Sequence, residues 1–380
     1  GAWRVNQENV AWNARLATNP DEKGTYGGFF TQEELKEIVK YAASKNIEVI
    51  PEIEMPAHVS SAIAAYPELA CFDQRIGVPS GGVWPITDIY CAGKESTFEF
   101  LQNVLDEVMT IFPSKYIHIG GDEATKTNWD KCPNCQKRMK DLGLKNSTEL
   151  QSYFVKRIEK YINSKGKKVI GWDEIVEGGL APEATVMSWR GTKGGIEAAD
   201  QGHDVIMTPE SPCYFNFYQG PQNEEPLAFD AYNPLNKVYE FEPVVPTMST
   251  AEANHVLGGQ ANLWAEYLSG PKDSEYMIFP RLAAMAEVLW SSKESRNWID
   301  FTTRLKPMLN RYDYLGINYA KSAYLVTASS TADLAKKQIN VTLKNEFPNP
   351  DIRYVLGDKT IDHHAVKYIN PIEFKETTVL

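Results

Sequence analysis

The chain has 380 residues, of which 43% are hydrophobic and 23% charged, with 25 Gly and 22 Pro. That composition belongs to a folded globular protein and excludes a coiled coil, a collagen-like repeat and a disordered tail. No run approaches the roughly 20 apolar residues that cross a bilayer, so no membrane insertion is expected. With 50 acidic against 39 basic residues the net charge is -11, which repels phosphate backbones and makes nucleic acid an unexpected partner.

Residues 1–30 are polar, Gly-rich and aromatic (Trp3, Trp12, Tyr26), and read as a loop. Thr31 with Glu34 fits a capping box, and Leu35, Ile38, Val39 and Ala42 then form one apolar helical face. A strand follows at 47–54, a second helix is signalled by Ser96 with Glu99, and strands follow at 116–120, 168–172, 185–189, 204–208 and 256–264. Several of these are near-continuous apolar runs, as buried parallel strands are. Between them a helix spans 148–164 and stops at Gly166, and two more are expected at 280–291 and 298–314. Strand alternating with helix gives an α/β fold, and six such units with polar residues at the strand ends point to most of a (β/α)8 TIM barrel. The two remaining strands are expected upstream of Gly1, on a further segment of the same gene product. Residues 1–318 thus form an N-terminally incomplete barrel domain. From 319 to 380 a small β domain is expected, with extended runs at 338–343, 352–356 and 367–374 and a turn at Gly357-Asp358.

Five cysteines are present. A single Cys132-Pro-Asn-Cys135 without a second such pair makes a poor zinc site, because structural zinc takes four ligands. The pair is therefore read as buried or locally bridged, and no metal or cofactor is expected. No Gly-rich phosphate loop, G-x-S-x-G elbow or H-E-x-x-H motif occurs.

The strongest chemical signal is His118-Ile-Gly-Gly-Asp122-Glu123 at the end of a strand. In a continuing strand the two carboxylates would face opposite ways; the glycines let both turn into one pocket. Such a pair can divide labour between a proton donor and a neighbour that stays charged, although Asp-Glu is also an ordinary helix start. Three tryptophans, Trp172, Trp189 and Trp264, fall at three further strand ends. Aromatic walls there suit a sugar ring, apolar on its faces and polar at its edges. Tyr214, Asn216 and Glu266 add partners for hydroxyl groups. A carbohydrate hydrolase follows.

Six ordered motifs carry a closer likeness: Met55-Pro-Ala-His58, His118-x-Gly-Gly-Asp-Glu, Gly171-Trp172-Asp-Glu, Met187-Ser-Trp189-Arg-Gly, Tyr214-Phe-Asn216 and Leu263-Trp264-Ala-Glu266. Together they resemble the glycoside hydrolase family 20 β-N-acetylhexosaminidases, from residue 1 to about 318. The resemblance implies exo-hydrolysis of terminal β-linked GlcNAc or GalNAc with retention, in which the substrate's own acetamido oxygen attacks the anomeric carbon and an oxazolinium ion forms. It assigns Glu123 as general acid and base, Asp122 as the carboxylate orienting the acetamido N–H, and Tyr214 as donor to the acetamido carbonyl. Trp172, Trp189 and Trp264 would line the sugar, Glu266 would bind its outer hydroxyls, and His58 would support the acid. His118 is counted among the substrate-binding residues. Position 216 is Asn where the family commonly has Asp, and Ala57 replaces the commoner Gly. The family's substrate-gripping Arg, and the Asp that partners the histidine, belong to the first two strands and have no match here.

Two other readings remain open at this level. One is an N-acetylhexosamine-binding protein without turnover. The other is a retaining glycosidase with an enzymic nucleophile, Asp173 or Glu174. An extracytoplasmic location is expected because glycans are mostly found there, and Asn146-Ser-Thr and Asn340-Val-Thr fit the glycosylation triplet. The stretch 210–254 reads as a loop over the site.

Overall fold

The structure is a computed structural model that describes residues 28–78, 85–357, 360–377 and 379. The aromatic loop expected over most of 1–30, and Asp358 of the expected turn, lie outside these. The chain divides into two compact units: Gly1–Glu210 with Pro243–Gln260, and Ser211–Glu242 with Ala261–Leu380. The division cuts through the stretch read as one barrel segment, and the 318/319 boundary falls inside the second unit.

The first unit is built on a parallel sheet of β1 (Tyr116–His118), β2 (Lys168–Trp172), β3 (Thr185–Ser188), β4 (Val205–Met207) and β5 (Val256–Gly259), in that order. Residues 51–55 lie parallel beside β1: the Ile53 amide donates to the His118 carbonyl at 2.9 Å and the Met55 amide to the Ile119 carbonyl at 3.0 Å. Six parallel segments therefore appear in the expected order. Val169, Val186, Val205 and Met207 on these strands are fully buried, Val205 and Met207 against Gly195 of the helix Lys193–Asp200. Helices α1 (Gln32–Ala43), α2 (Ser60–Ala65), α3 (Glu95–Ile111), α4 (Thr127–Lys131), α5 (Pro133–Leu142), α6 (Ser147–Ser164) and α7 (Lys193–Asp200) fill the connections. α3 buries Phe98, Leu101 and Leu105, and α6 buries Leu150, Phe154, Ile158 and Ile162. Each such side chain contributes about 1.5–3 kcal/mol by leaving water.

Local signals account for most helix ends. Thr31 and Glu34 form the reciprocal capping box, the Thr31 amide donating to Glu34 Oε2 at 2.7 Å and the Glu34 amide to Thr31 Oγ1 at 3.2 Å. Asn146 caps α6 by accepting from the Glu149 amide at 2.9 Å. Gly166, one residue past the C-cap Lys165, takes φ +76°, where a Cβ would be strained. The Ser96–Glu99 box does not form. α3 starts two residues earlier, with Lys94 at the N-cap and its ammonium drawn to the carbonyls of Glu68 and Ala70 and to Asp73.

Two strand expectations also need correction. The 47–54 run pairs only from Pro51 onward, and Ile47 and Ile50 stay exposed. The 256–264 run is not one strand: β5 stops at Gly259, and Asn262 pairs instead with Tyr214 in the second unit. Here Gly258 at φ +145° and a register shift against Val205–Ile206 interrupt the ladder.

The second unit holds the short parallel pair Phe217–Tyr218 and Phe229–Tyr232 and the helices Pro271–Ile278, Arg281–Trp290 and Trp298–Leu315. It also holds an antiparallel sheet of Thr327–Asp333, Gln338–Lys344 and Ile372–Phe374. Leu343, Ile352 and Ile372 form a small core under that sheet. The stretch 210–254 is therefore not a plain loop; it also carries the helices Leu235–Tyr239 and Thr250–Ala253. Fully buried Arg281 donates to the carbonyls of Phe215, Phe217, Asn233 and Met277, tying this stretch to the helix it starts.

Of the two forms expected for the Cys132–Cys135 pair, buried or locally bridged, the structure shows the first: both are buried and unbridged, with Cys71 and Cys91 buried beside them. A sequence reading that counts only neighbouring cysteines cannot see further cysteines brought in from other loops.

Candidate active site

The site in the first unit sits at the C-terminal edge of the sheet. After β1 the chain passes through Gly120 (φ +69°) and Gly121 (φ +99°) into Asp122 and Glu123. Gly120 has no room for a side chain, since a Cβ there would meet Glu54 Oε2 at 1.9 Å. Glu123 itself takes φ +49° and His58 φ +57°. Left-handed backbone costs a non-glycine residue roughly 1–2 kcal/mol. Both outliers aim side chains at one point. His58 Nε2 lies 3.2 Å from Asp122 Oδ2 and 3.2 Å from Glu123 Oε2.

Burial disfavours the charged imidazole, but the hydrogen bonds to Asp122 and Glu123 and their charges outweigh it, and the His58 pKa is pushed up to about 10. At neutral pH this residue is a cation held between the Asp122 and Glu123 side chains. Asp122 has its Oδ2 engaged in this way. Its Oδ1 is buried and meets no hydrogen-bond donor among the described residues.

Beneath the pair lies a layer that the motifs did not bring out. Burial, together with the charges of Asp122 and Glu52, pushes Glu54 up to about 10, so it is a neutral acid at pH 7. Glu52 accepts from Trp172 Nε1 at 2.8 Å and sits 3.2 Å from His118 Nδ1. The available signal was alternation: Glu52 and Glu54 are two apart on an extended segment and share a face. Trp172 is only 2% exposed and packs edge-on to His118, ring centroids 4.7 Å apart. It supports the floor here.

Trp189 is half-buried and donates through Nε1 to Glu174 Oε2 at 2.9 Å. Burial pushes Glu174 up to about 7. The Glu123 amide points at the other Glu174 oxygen at 3.5 Å. Asp173 is 2% exposed and bound to Arg190 Nε at 2.6 Å. Burial, and then the charge of Glu123, also raise the pKa of Glu210.

The remaining candidates lie in the second unit. Tyr214 pairs with Asn262, and its ring lies 6.4 Å from that of Trp264. Asn216 is buried, with Oδ1 meeting no donor among the described residues. Trp264 and Glu266 are half-buried. The structure thus gathers His58, His118, Asp122, Glu123, Trp172 and Trp189 in one unit, and Tyr214, Asn216, Trp264 and Glu266 in the other.

A parallel α/β sheet with a carboxylate pair at its C-terminal edge is the ground plan of an α/β-barrel catalytic domain. The chain belongs to glycosyl hydrolase family 20: residues 1–293 match the profile of that family's catalytic domain. Among its relatives are a β-hexosaminidase of Porphyromonas gingivalis, 44% identical over the whole chain and 49% of the relative, and one of Vibrio furnissii, 37% identical over 75% of the chain and 46% of the relative. Solved structures of similar fold include a β-N-acetylhexosaminidase from Bacteroides fragilis (TM-score 0.67, 34% identity, 77% of this chain and 58% of that one). Another is an exo β-N-acetylglucosaminidase from Vibrio harveyi in complex with N-acetylglucosamine (TM-score 0.70, 33% identity, 78% and 47%). The chain spans about half the length of the curated relatives it matches.

Proposed function

We propose that the chain is the catalytic portion of an exo-acting β-N-acetylhexosaminidase, removing terminal β-linked GlcNAc or GalNAc with the substrate's acetamido oxygen as nucleophile. The observation that carries this reading is the division within Asp122. Oδ2 is held by the His58 imidazolium, while buried Oδ1 has no donor, so one oxygen is positioned and the other is left to accept an N–H. An acceptor there orients the acetamido group and stabilises the positive charge that develops on its nitrogen as the oxazolinium ring closes. Glu123, its Oε2 also on His58, protonates the departing oxygen and then takes a proton from water. Tyr214 donates to the acetamido carbonyl, and Trp172, Trp189 and Trp264 wall the sugar, with His118 under Trp172. Asn216 and Glu266 take the outer hydroxyls.

The enzymic-nucleophile reading fares worse on a specific observation. Asp173 is buried and spent on Arg190, and Glu174 accepts from Trp189. A nucleophilic carboxylate must be free to reach the anomeric carbon, across a pocket from the acid at about 5–5.5 Å. Among the described residues the sheet does not close, and the exposure of Ile50 beside one end strand and of Leu257 on the other supports two further parallel strands completing an eight-stranded barrel, with the β domain following from 319. The preference for a glycan partner supports an extracytoplasmic location.

The test is hydrolysis of an aryl β-N-acetylglucosaminide beside the matching β-glucoside. The reading expects cleavage of the first alone; equal cleavage of both would overturn it, and binding without cleavage would favour the lectin-like alternative.

A further inference from the structure

Four of the five cysteines, far apart in sequence, converge in the first unit. Cys71, Cys91, Cys132 and Cys135 are all buried, and their Sγ atoms lie within 4.8 Å of one another. The Cys71–Cys135, Cys91–Cys132 and Cys91–Cys135 separations are 3.8, 3.7 and 3.6 Å. These are far longer than a disulfide bond of about 2.05 Å. They match the edge of a tetrahedron of sulfurs around zinc: with Zn–S near 2.3 Å, that edge is about 3.8 Å.

The surrounding backbone is shaped for this arrangement. Cys132 is the N-cap of α5 and Cys135 lies on its first turn, so both sulfurs sit at the positive end of a ten-residue helix. Pro133 at the first helical position fixes the turn between them. Gly93 packs against the other strand of chain, where a Cβ would meet the Asn134 carbonyl carbon at 2.2 Å and the Cys135 nitrogen at 2.4 Å. The Gly93 amide also donates toward Cys91. Two cations border the cluster: Lys94 holds the Ala70 carbonyl at 2.8 Å, next to Cys71, and Arg138 holds the Gly93 carbonyl at 3.0 Å.

We propose that these four cysteines form a structural zinc site. Zinc(II) displaces four thiol protons and leaves a tetrathiolate complex of charge −2, next to Lys94 and Arg138. All four positions are filled by protein, so the ion has no open coordination site for catalysis. Its place in the fold gives it a purpose. Cys71 and Cys91 lie on the connection that carries His58, and Cys132 and Cys135 lie on the connection that carries Asp122 and Glu123. The ion pins together the two segments whose side chains must meet at 3.2 Å. Cys213 is buried apart from the cluster and takes no part.

The test is metal analysis of the protein purified from zinc-supplemented culture without chelator, paired with intact mass after denaturing alkylation. The proposal expects one zinc per chain, released when a mercurial blocks the thiols, and a melting temperature that falls on chelation and recovers on adding zinc alone. Cys213→Ser should keep the full zinc ratio; Cys132→Ser and Cys135→Ser should lose it. Because those two variants can fail to fold, the wild-type chain is also refolded with cobalt(II), which should give the thiolate charge-transfer bands of a tetrahedral tetrathiolate. No zinc together with five alkylated thiols would overturn the proposal, as would two disulfides by mass, bound iron in place of zinc, or cobalt spectra without thiolate bands.

Discussion

At the scale of single residues, the site is governed by how four acids and one imidazole share protons. His58 has a folded-state pKa raised above its ordinary value, so its contribution to stability is complete below about 6.5 and is lost as pH climbs through about 10. Glu54, also raised to about 10, acts with the same sign: folding holds a proton that the unfolded chain sheds above about 4.3. Stability should therefore fall as pH rises from 7 to 10. Glu54→Gln, which stays neutral, should raise the melting temperature at pH 8 and flatten that slope, as thermal melts at several pH values would register; an unchanged slope would place the proton elsewhere. Glu123→Gln should lower kcat by about 10²–10⁴-fold, the usual range for losing a general acid. The loss should be greater for poor leaving groups than for nitrophenol, which steady-state rates across an aryl series would reveal. Asp122→Asn offers an amide N–H or a neutral oxygen where a carboxylate stabilised charge. It should lose a comparable factor in kcat with a smaller change in KM.

At the scale of elements, the sequence was most legible where short-range chemistry decides. The Thr31–Glu34 box, the Gly166 stop and the near-continuous apolar runs of β2, β3 and β4 are local facts, and the structure places them as read. Legibility failed where a distant partner decides. Lys94 starts α3 early because carbonyls from residues 68 and 70 hold its ammonium. The 256–264 run breaks because Asn262 finds Tyr214. Glu52 and Glu54 were passed over inside an otherwise apolar strand, although their alternation marks an inward face. The motif carrying Asp122 and Glu123 was readable because two glycines before two acids violate ordinary strand chemistry. Gly120→Ala tests that element directly. With φ at +69° and Glu54 Oε2 1.9 Å from the new Cβ, it should cost both stability and turnover, measured by melting temperature and kcat. Gly143→Ala, equally left-handed at +66° but with nothing near the new Cβ, should cost stability alone.

At the scale of the whole molecule, the second unit depends on one buried cation. Arg281 satisfies four carbonyls, three of them in the stretch 211–242, whose own regular elements are short. Arg281→Met would strand those acceptors, and leaving a buried acceptor unsatisfied typically costs about 1–3 kcal/mol. The variant should melt several degrees lower, and limited proteolysis should open near 211–242 first. Cleavage confined to the first unit would contradict this.

The central claim is that the substrate's acetamido oxygen attacks the anomeric carbon. The most direct measurement is kcat/KM for a series of aryl β-glucosaminides whose N-acetyl group carries zero, one, two or three fluorines. Each fluorine weakens the carbonyl oxygen as a nucleophile while changing its size little. The account predicts a steep, monotonic fall in rate along the series. A flat dependence, with the trifluoroacetyl substrate cleaved as fast as the acetyl one, would mean that a protein carboxylate or water attacks instead.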